Sequence, residues 1–210
     1  MTATAQAPGS RSARKRQDIL DAAAEVFLTQ TYLGATMDQV AARAGVSKQT
    51  VYKHFKDKES LFTEIITAAG TGIDEMVRSV AEALDDVTDL HAGLTALGRQ
   101  LLTGITRPEV LALRRLVIGE TSRFPDLGRQ YYEQGFARVL ASLAACLQRL
   151  VDRRVLRPHD TTMAADQFAG LVLWIPLNHA VFTGDRLSTR DLNRYATAAA
   201  TTFMAAYRAE

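Results

Sequence analysis

The sequence predicts an all-α protein, an N-terminal three-helix helix-turn-helix domain followed by a larger C-terminal helical bundle. Three observations carry this expectation. Apolar residues recur at intervals of three and four through most of the 210 residues, the mark of helices with one buried stripe. No stretch alternates with period two for long enough to build a sheet. Pro108, Pro125 and Pro158 each precede a new periodic run, the position where a missing N–H costs least.

The elements follow in order. From Gln17 the positions Ile19, Ala23, Val26 and Phe27 form one stripe, ending near Thr31 before Gly34. Thr36 with Gln39 three residues on makes a capping box for a short helix with Val40 and Ala41 inward. Gly45 breaks that helix where a left-handed backbone is cheap. Ser47 caps the next, with Val51 and Phe55 spaced i, i+4. Asp57 caps a fourth, carrying Leu61, Phe62, Ile65 and Ile66 and expected to run toward Leu84. After Pro125 the stripe is Tyr132, Phe136, Val139, Leu140, Leu143, Leu147 and Leu150. The run 161–182 reads as apolar on two sides, Phe168, Leu171, Val172 and Ile175 against Leu173, Trp174, Leu177 and Val181, so both need cover. Gly184 ends it, and Ser188 caps a last Ala-rich helix to about residue 208.

Composition narrows the function classes. The chain has 25 Lys+Arg, 23 Asp+Glu and 47% hydrophobic residues, an ordinary globular balance. Its single cysteine, Cys146, lies among Leu143, Ala144, Ala145 and Leu147 and reads as a small core residue in a reducing, cytoplasmic setting. The apolar run Phe168–Leu177 falls well short of the ~20 residues a membrane span needs. Residues 1–12 read as a flexible tail without the order of a secretion signal. Charge is uneven: residues 1–60 hold nine basic and six acidic side chains, and 11–16 hold four cations and no anion. Such an arm can neutralise phosphates.

Residues 36–55, TMDQVAARAGVSKQTVYKHF, are the most informative stretch. Two short helices joined by a glycine turn make a unit whose second helix can enter a DNA major groove. Val40, Ala41, Val46 and Val51 supply its small core, and outward residues supply the chemistry. Gln49 suits an adenine edge, Thr50 a base edge or thymine methyl, and Lys48 a guanine or phosphate. Tyr52, Lys53 and His54 suit phosphate oxygens, and Thr36 adds a hydroxyl at a helix start. There is no acidic residue between Ala44 and Lys56.

The stretch from about Ala13 to Ala69 resembles the DNA-binding domain of the TetR family of bacterial transcriptional regulators. The matching residues are Ile19-Leu20-Asp21-Ala22-Ala23, Val26-Phe27, Gly34-Ala35-Thr36-Met37, Val40-Ala41, Ala44-Gly45-Val46-Ser47 and the run Val51 to Leu61. One departure is Tyr32-Leu33 after Thr31, where the family commonly has a glycine turn. The resemblance implies a DNA-binding domain over 13–73 and a ligand-binding and dimerisation domain over 74–210. It implies dimers on palindromic double-stranded operators, mostly repressors released by a small effector. By position, the DNA contacts are Thr36, Lys48, Gln49, Thr50, Tyr52, Lys53, His54 and Lys58. Arg114 to Glu120 and Arg123 to Leu127 look like one C-terminal type of the family.

A homodimer is expected on physical grounds too, since one reading helix makes too few contacts and two related by a two-fold axis read spaced half-sites. The helices about 161–182 and 188–208 offer the surface, with Leu173, Trp174 and Phe203 as buried area and Ala196, Ala198, Ala199 and Ala200 allowing close approach. Candidate effector contacts are His91, Arg115, Tyr131, Tyr132, Phe168, Trp174 and His179, favouring a lipophilic or aromatic molecule. No enzyme chemistry, metal or cofactor is expected: the four histidines are scattered, and no phosphate loop or nucleophile elbow occurs. The competing reading is a helical ligand-binding or scaffold protein that never touches DNA.

Overall fold

The computed structural model describes residues 8–68, 71–85 and 88–209. The helices are α1 (Pro8–Gly34), α2 (Met37–Arg43), α3 (Lys48–His54), α4 (Lys58–Ala68), α5 (Thr71–Glu82), α6 (Leu90–Ile105), α7 (Pro108–Glu120), α8 (Pro125–Tyr131), α9 (Arg138–Asp152), α10 (Thr161–Thr183) and α11 (Thr189–Tyr207). A π-helical segment, Tyr132–Ala137, joins α8 to α9. No helix among the described residues is long and apolar enough to cross a membrane. α1 starts inside the stretch 1–12 expected as a tail, residues 1–7 of which lie outside the described residues. Of the run expected to reach toward Leu84, α4 covers Lys58–Ala68 and α5 covers Thr71–Glu82, and residues 69 and 70 lie outside the described residues.

The chain forms two compact units, one of 1–69 with 116–128 and one of 70–115 with 129–210. The segment 116–128 thus departs from the expected division at residue 73. Its attachment is aromatic: Phe124 meets Tyr32 edge-on at 4.8 Å and Phe62 at 6.0 Å, within a cluster completed by Phe27. Arg123 lies 5.2 Å over the Tyr32 ring. Around this cluster Ile19, Ala23, Val40, Val51, Phe55 and Leu61 are buried.

Side-chain chemistry sets the ends of the short helices. Thr36 Oγ1 accepts from Gln39 N–H at 3.2 Å while Gln39 Oε1 accepts from Thr36 N–H at 2.8 Å. This capping box satisfies donors that α2 would leave orphaned. Gly45, at φ 65°, then turns the chain, and Val46 N–H reaches back to Ala41 C=O at 3.0 Å. Ser47 caps α3 through Thr50 N–H, and Asp57 caps α4 through Ser60 N–H at 2.7 Å. That bond and the Ser60 hydroxyl hold the Asp57 carboxyl below the usual carboxylate range.

The second unit packs α6, α9, α10 and α11 around Leu94, Leu97, Leu102, Leu143, Leu147, Phe168, Val172, Ala200 and Phe203. α6 and α11 approach closely because small residues face each other: a Cβ on Gly98 would lie 3.3 Å from Ala196 Cβ. Leu173 and Phe203, expected to supply dimer surface, are core residues instead, as are Ala196, Ala199 and Ala200. Cys146 is a buried core residue, and burial pushes its thiol up.

α10 also divides differently from the expectation. Its buried residues run Ala164, Ala165, Phe168, Ala169, Val172, Leu173, Pro176, Leu177, Ala180. A stripe that repeats every four residues on a 3.6-residue helix advances by about 40° per repeat, so it winds around the helix. Phe168 and Ile175, placed on one face from sequence, are therefore 0% and 56% exposed.

Candidate nucleic-acid interface

The turn between α2 and α3 sets the ridge. Val40, Ala41 and Val51 are buried and Val46 is half-buried, which fixes α3 by its inner side. Lys48, Gln49, Tyr52 and Lys53 then share the opposite face at i, i+1, i+4 and i+5, and all four are exposed. This is the open cationic face that the sequence leads one to expect. Gln49 and Lys53 have no side-chain partner among the described residues, and the Tyr52 ring is 46% exposed.

The other expected contacts are more engaged. Lys48 Nζ sits 2.9 Å from Asp38, and that carboxylate holds the ammonium above its ordinary range. A phosphate or guanine would have to replace Asp38 as its partner. Thr36 Oγ1 is committed to the α2 cap, and Thr50 Oγ1 lies 2.8 Å from Ser47 Oγ in the α3 cap. His54 is half-buried at the α3 C-terminus.

Lys58 has turned inward to a structural task. It donates to Tyr32 C=O at 2.8 Å and Ala35 C=O at 2.9 Å, and lies 4.5 Å from the Tyr32 ring centre. Burial is the main cause holding the Tyr32 hydroxyl up, with Glu59 adding to it. Two features escaped the reading of the sequence: the Asp38 partner of Lys48, and Arg16, which pairs with Glu64 while its guanidinium lies 5.0 Å over the Phe55 ring. Both join residues of different helices, and only the charge at each position was visible beforehand.

The expected effector residues do not converge. Phe168 is wholly buried against Phe203, and Trp174 and Tyr132 are 68% and 53% exposed rather than inside the bundle. His91 Nε2 lies 3.0 Å from Thr201 Oγ1, across α6 and α11. Arg115 donates to Ala180 C=O and Val181 C=O, both at 2.8 Å, satisfying carbonyls at the end of α10. His179 is exposed, 3.9 Å from Asp185. Tyr131 is half-buried at the start of the π segment, and burial raises its hydroxyl.

The exposed side of α10 carries Met163, Leu171, Trp174, Ile175 and Phe182. Beside it lies a groove of about 340 Å³ lined by Gln167, Gly170, Leu171, Thr202, Phe203, Ala206 and Tyr207.

Residues 19–65 match the family of bacterial regulatory proteins, tetR family, and residues 92–209 match the AefR-like transcriptional repressor, C-terminal domain. The crystal structure of a TetR-family transcriptional regulator from Mesorhizobium loti is 42% identical, with a TM-score of 0.87, over 94% of this chain and 98% of that one. The flavonoid-responsive regulator FrrA is 32% identical with a TM-score of 0.70, over 93% and 98%. The transcriptional activator FasR of Mycolicibacterium smegmatis is 39% identical over 82 residues, which span 39% of this chain and 36% of FasR.

Proposed function

The chain belongs to the TetR family of DNA-binding transcriptional regulators, and on that footing we propose that it is a repressor working as a dimer on a palindromic operator. The observation that carries the operator reading is the exposed face of α3, with Lys48, Gln49, Tyr52 and Lys53 outward and Val51 beneath. In this reading Gln49 and Thr50 read base edges. Thr36, Lys48, Tyr52, Lys53 and His54 hold phosphates, and Lys58 supports them by fixing the end of α1. The match over 92–209 to a repressor C-terminal domain supports repression.

The dimer is proposed to close through α10 and α11. The exposed apolar side chains Leu171, Trp174 and Ile175, neighbours on α10, support this, because an exposed apolar patch marks an interaction site. The effector is proposed to be lipophilic or aromatic, which the flavonoid response in FrrA's name supports. Tyr131 is its foremost candidate contact, with His91, Arg115, Tyr132 and His179 as further ones. Release requires an effector that binds the DNA-incompetent arrangement of the two reading heads more tightly than the competent one.

Fluorescence anisotropy with duplexes enriched by the protein from a random-sequence pool tests the operator reading. Sequence-selective binding that weakens steeply with salt is the expected result. Binding that is absent or indifferent to salt would leave the scaffold reading in its place.

A further inference from the structure

We propose that the DNA footprint of each subunit extends past α3 onto the first turns of α1, where Arg14 and Lys15 hold backbone phosphates flanking the groove that α3 enters. The inference rests on α3 being the groove-entering helix, and comes from sorting the cations of the first unit by what they already hold. Arg16 is paired with Glu64, Arg43 with Glu25 and Lys48 with Asp38. Lys58 holds two carbonyls, and Arg123 lies over the rings of Tyr32 and Phe124. Arg14, Lys15, Lys53 and Lys56 are different: all four are exposed, and none has an ion-pair or hydrogen-bond partner among the described residues.

Arg14 and Lys15 lie on α1, and Lys53 and Lys56 lie at the end of α3. Phe55 caps the end of α3, with Lys53 two residues before it and Lys56 directly after. The Arg16 guanidinium, 5.0 Å over the Phe55 ring, pins the start of α1 to that cap. Arg14 and Lys15 immediately precede Arg16. That contact holds the start of α1, the backbone that carries Arg14 and Lys15, against the end of α3 that Lys53 and Lys56 flank.

Like charges repel one another, and a polyanion that replaces their counterions relieves the repulsion. α3 itself occupies the groove in this reading, so cations beside its end meet the phosphate wall rather than base edges. Arg14 and Lys15 stand on helical backbone continuous from Pro8, which lowers the ordering cost of a phosphate contact. Asp18, one turn along, is exposed and bonds to neither. Arg16 is a positioning residue, its charge already spent on Glu64.

The test compares the full-length wild-type dimer with three variants on one duplex that the wild-type protein has enriched from a random pool. For Arg14→Ala/Lys15→Ala the slope of log K against log salt should flatten by about 3 to 4, two cations in each of two subunits at ~0.9 apiece. Sequence preference should stay unchanged. The charge-keeping variant Arg14→Lys/Lys15→Arg should retain the wild-type slope, and circular dichroism melts should coincide for all three. An unaltered slope for the double alanine variant, while Lys53→Ala flattens it, would overturn this inference and leave the α3 reading intact. If neither variant moves the slope, both fall. A loss of affinity without change in slope, or a shift in preferred sequence, would overturn the phosphate role as well.

Discussion

Thr31 sits at φ 59°, ψ 174°, a conformation essentially reserved for glycine, and it is a β-branched residue. Strain of this kind costs about 1–3 kcal/mol, and the glycine that would relieve it loses about 0.5–1 kcal/mol more in chain entropy on folding. Thr31→Gly is therefore expected to stabilise the protein by about 1 kcal/mol, read as a melting midpoint some 2–4 °C higher. A lower midpoint would show that the Thr31 side chain does more than tolerate the turn. At Gln49 the consequence is in specificity, since its amide is exposed and unpartnered. Gln49→Ala should relax preference at one operator position by about 1–3 kcal/mol. Equal weakening at every position, measured on a panel of single-base duplex variants, would remove Gln49 from base reading.

Between helices, α6 and α11 approach closely at Gly98 and Ala196. Ala196 is wholly buried, so Ala196→Leu adds volume where none is free. Overpacking of this sort costs about 1–3 kcal/mol, expected as a lower urea midpoint with unchanged slope. α10 illustrates how an element can be right in its bounds and wrong in its faces. Asp160, which accepts from Thr162 and Met163 N–H, and Gly184, at φ 79°, mark its ends by local capping chemistry. Which side is covered depends on a four-residue repeat that winds around the axis, so Leu171 and Ile175 are exposed while Phe168 and Val172, grouped with them by the sequence pattern, are buried. α2, α3 and their turn were legible because a capping box, a Ser cap and one glycine fix them within about a dozen residues.

At the level of the assembly, the exposed apolar patch on α10 is the feature that asks for a partner. Trp174 is 68% exposed, so Trp174→Asp should leave the fold of the subunit intact. In a symmetric dimer it would bury a charge twice. Light scattering during size exclusion should then report a monomer at micromolar concentration, and affinity for a palindromic duplex should fall far more than affinity for a single half-site. A variant that remains dimeric would move the interface off this patch.

The all-helical architecture, the caps at Thr36, Ser47, Asp57 and Ser188, the helix-turn-helix unit and its exposed cations are legible in the chain, because each depends on residues within one or two helical turns of one another. Long-range contact settled the rest. That Lys48 is bound to Asp38, that Arg16 ties α1 to the end of α3 and that Lys58 serves carbonyls follows from side chains 10 to 48 positions apart. Phe124 joins the first unit across still greater separation. A charge or a ring is visible at its own position in the sequence. The group that satisfies it belongs to another helix, and packing alone brings the two together.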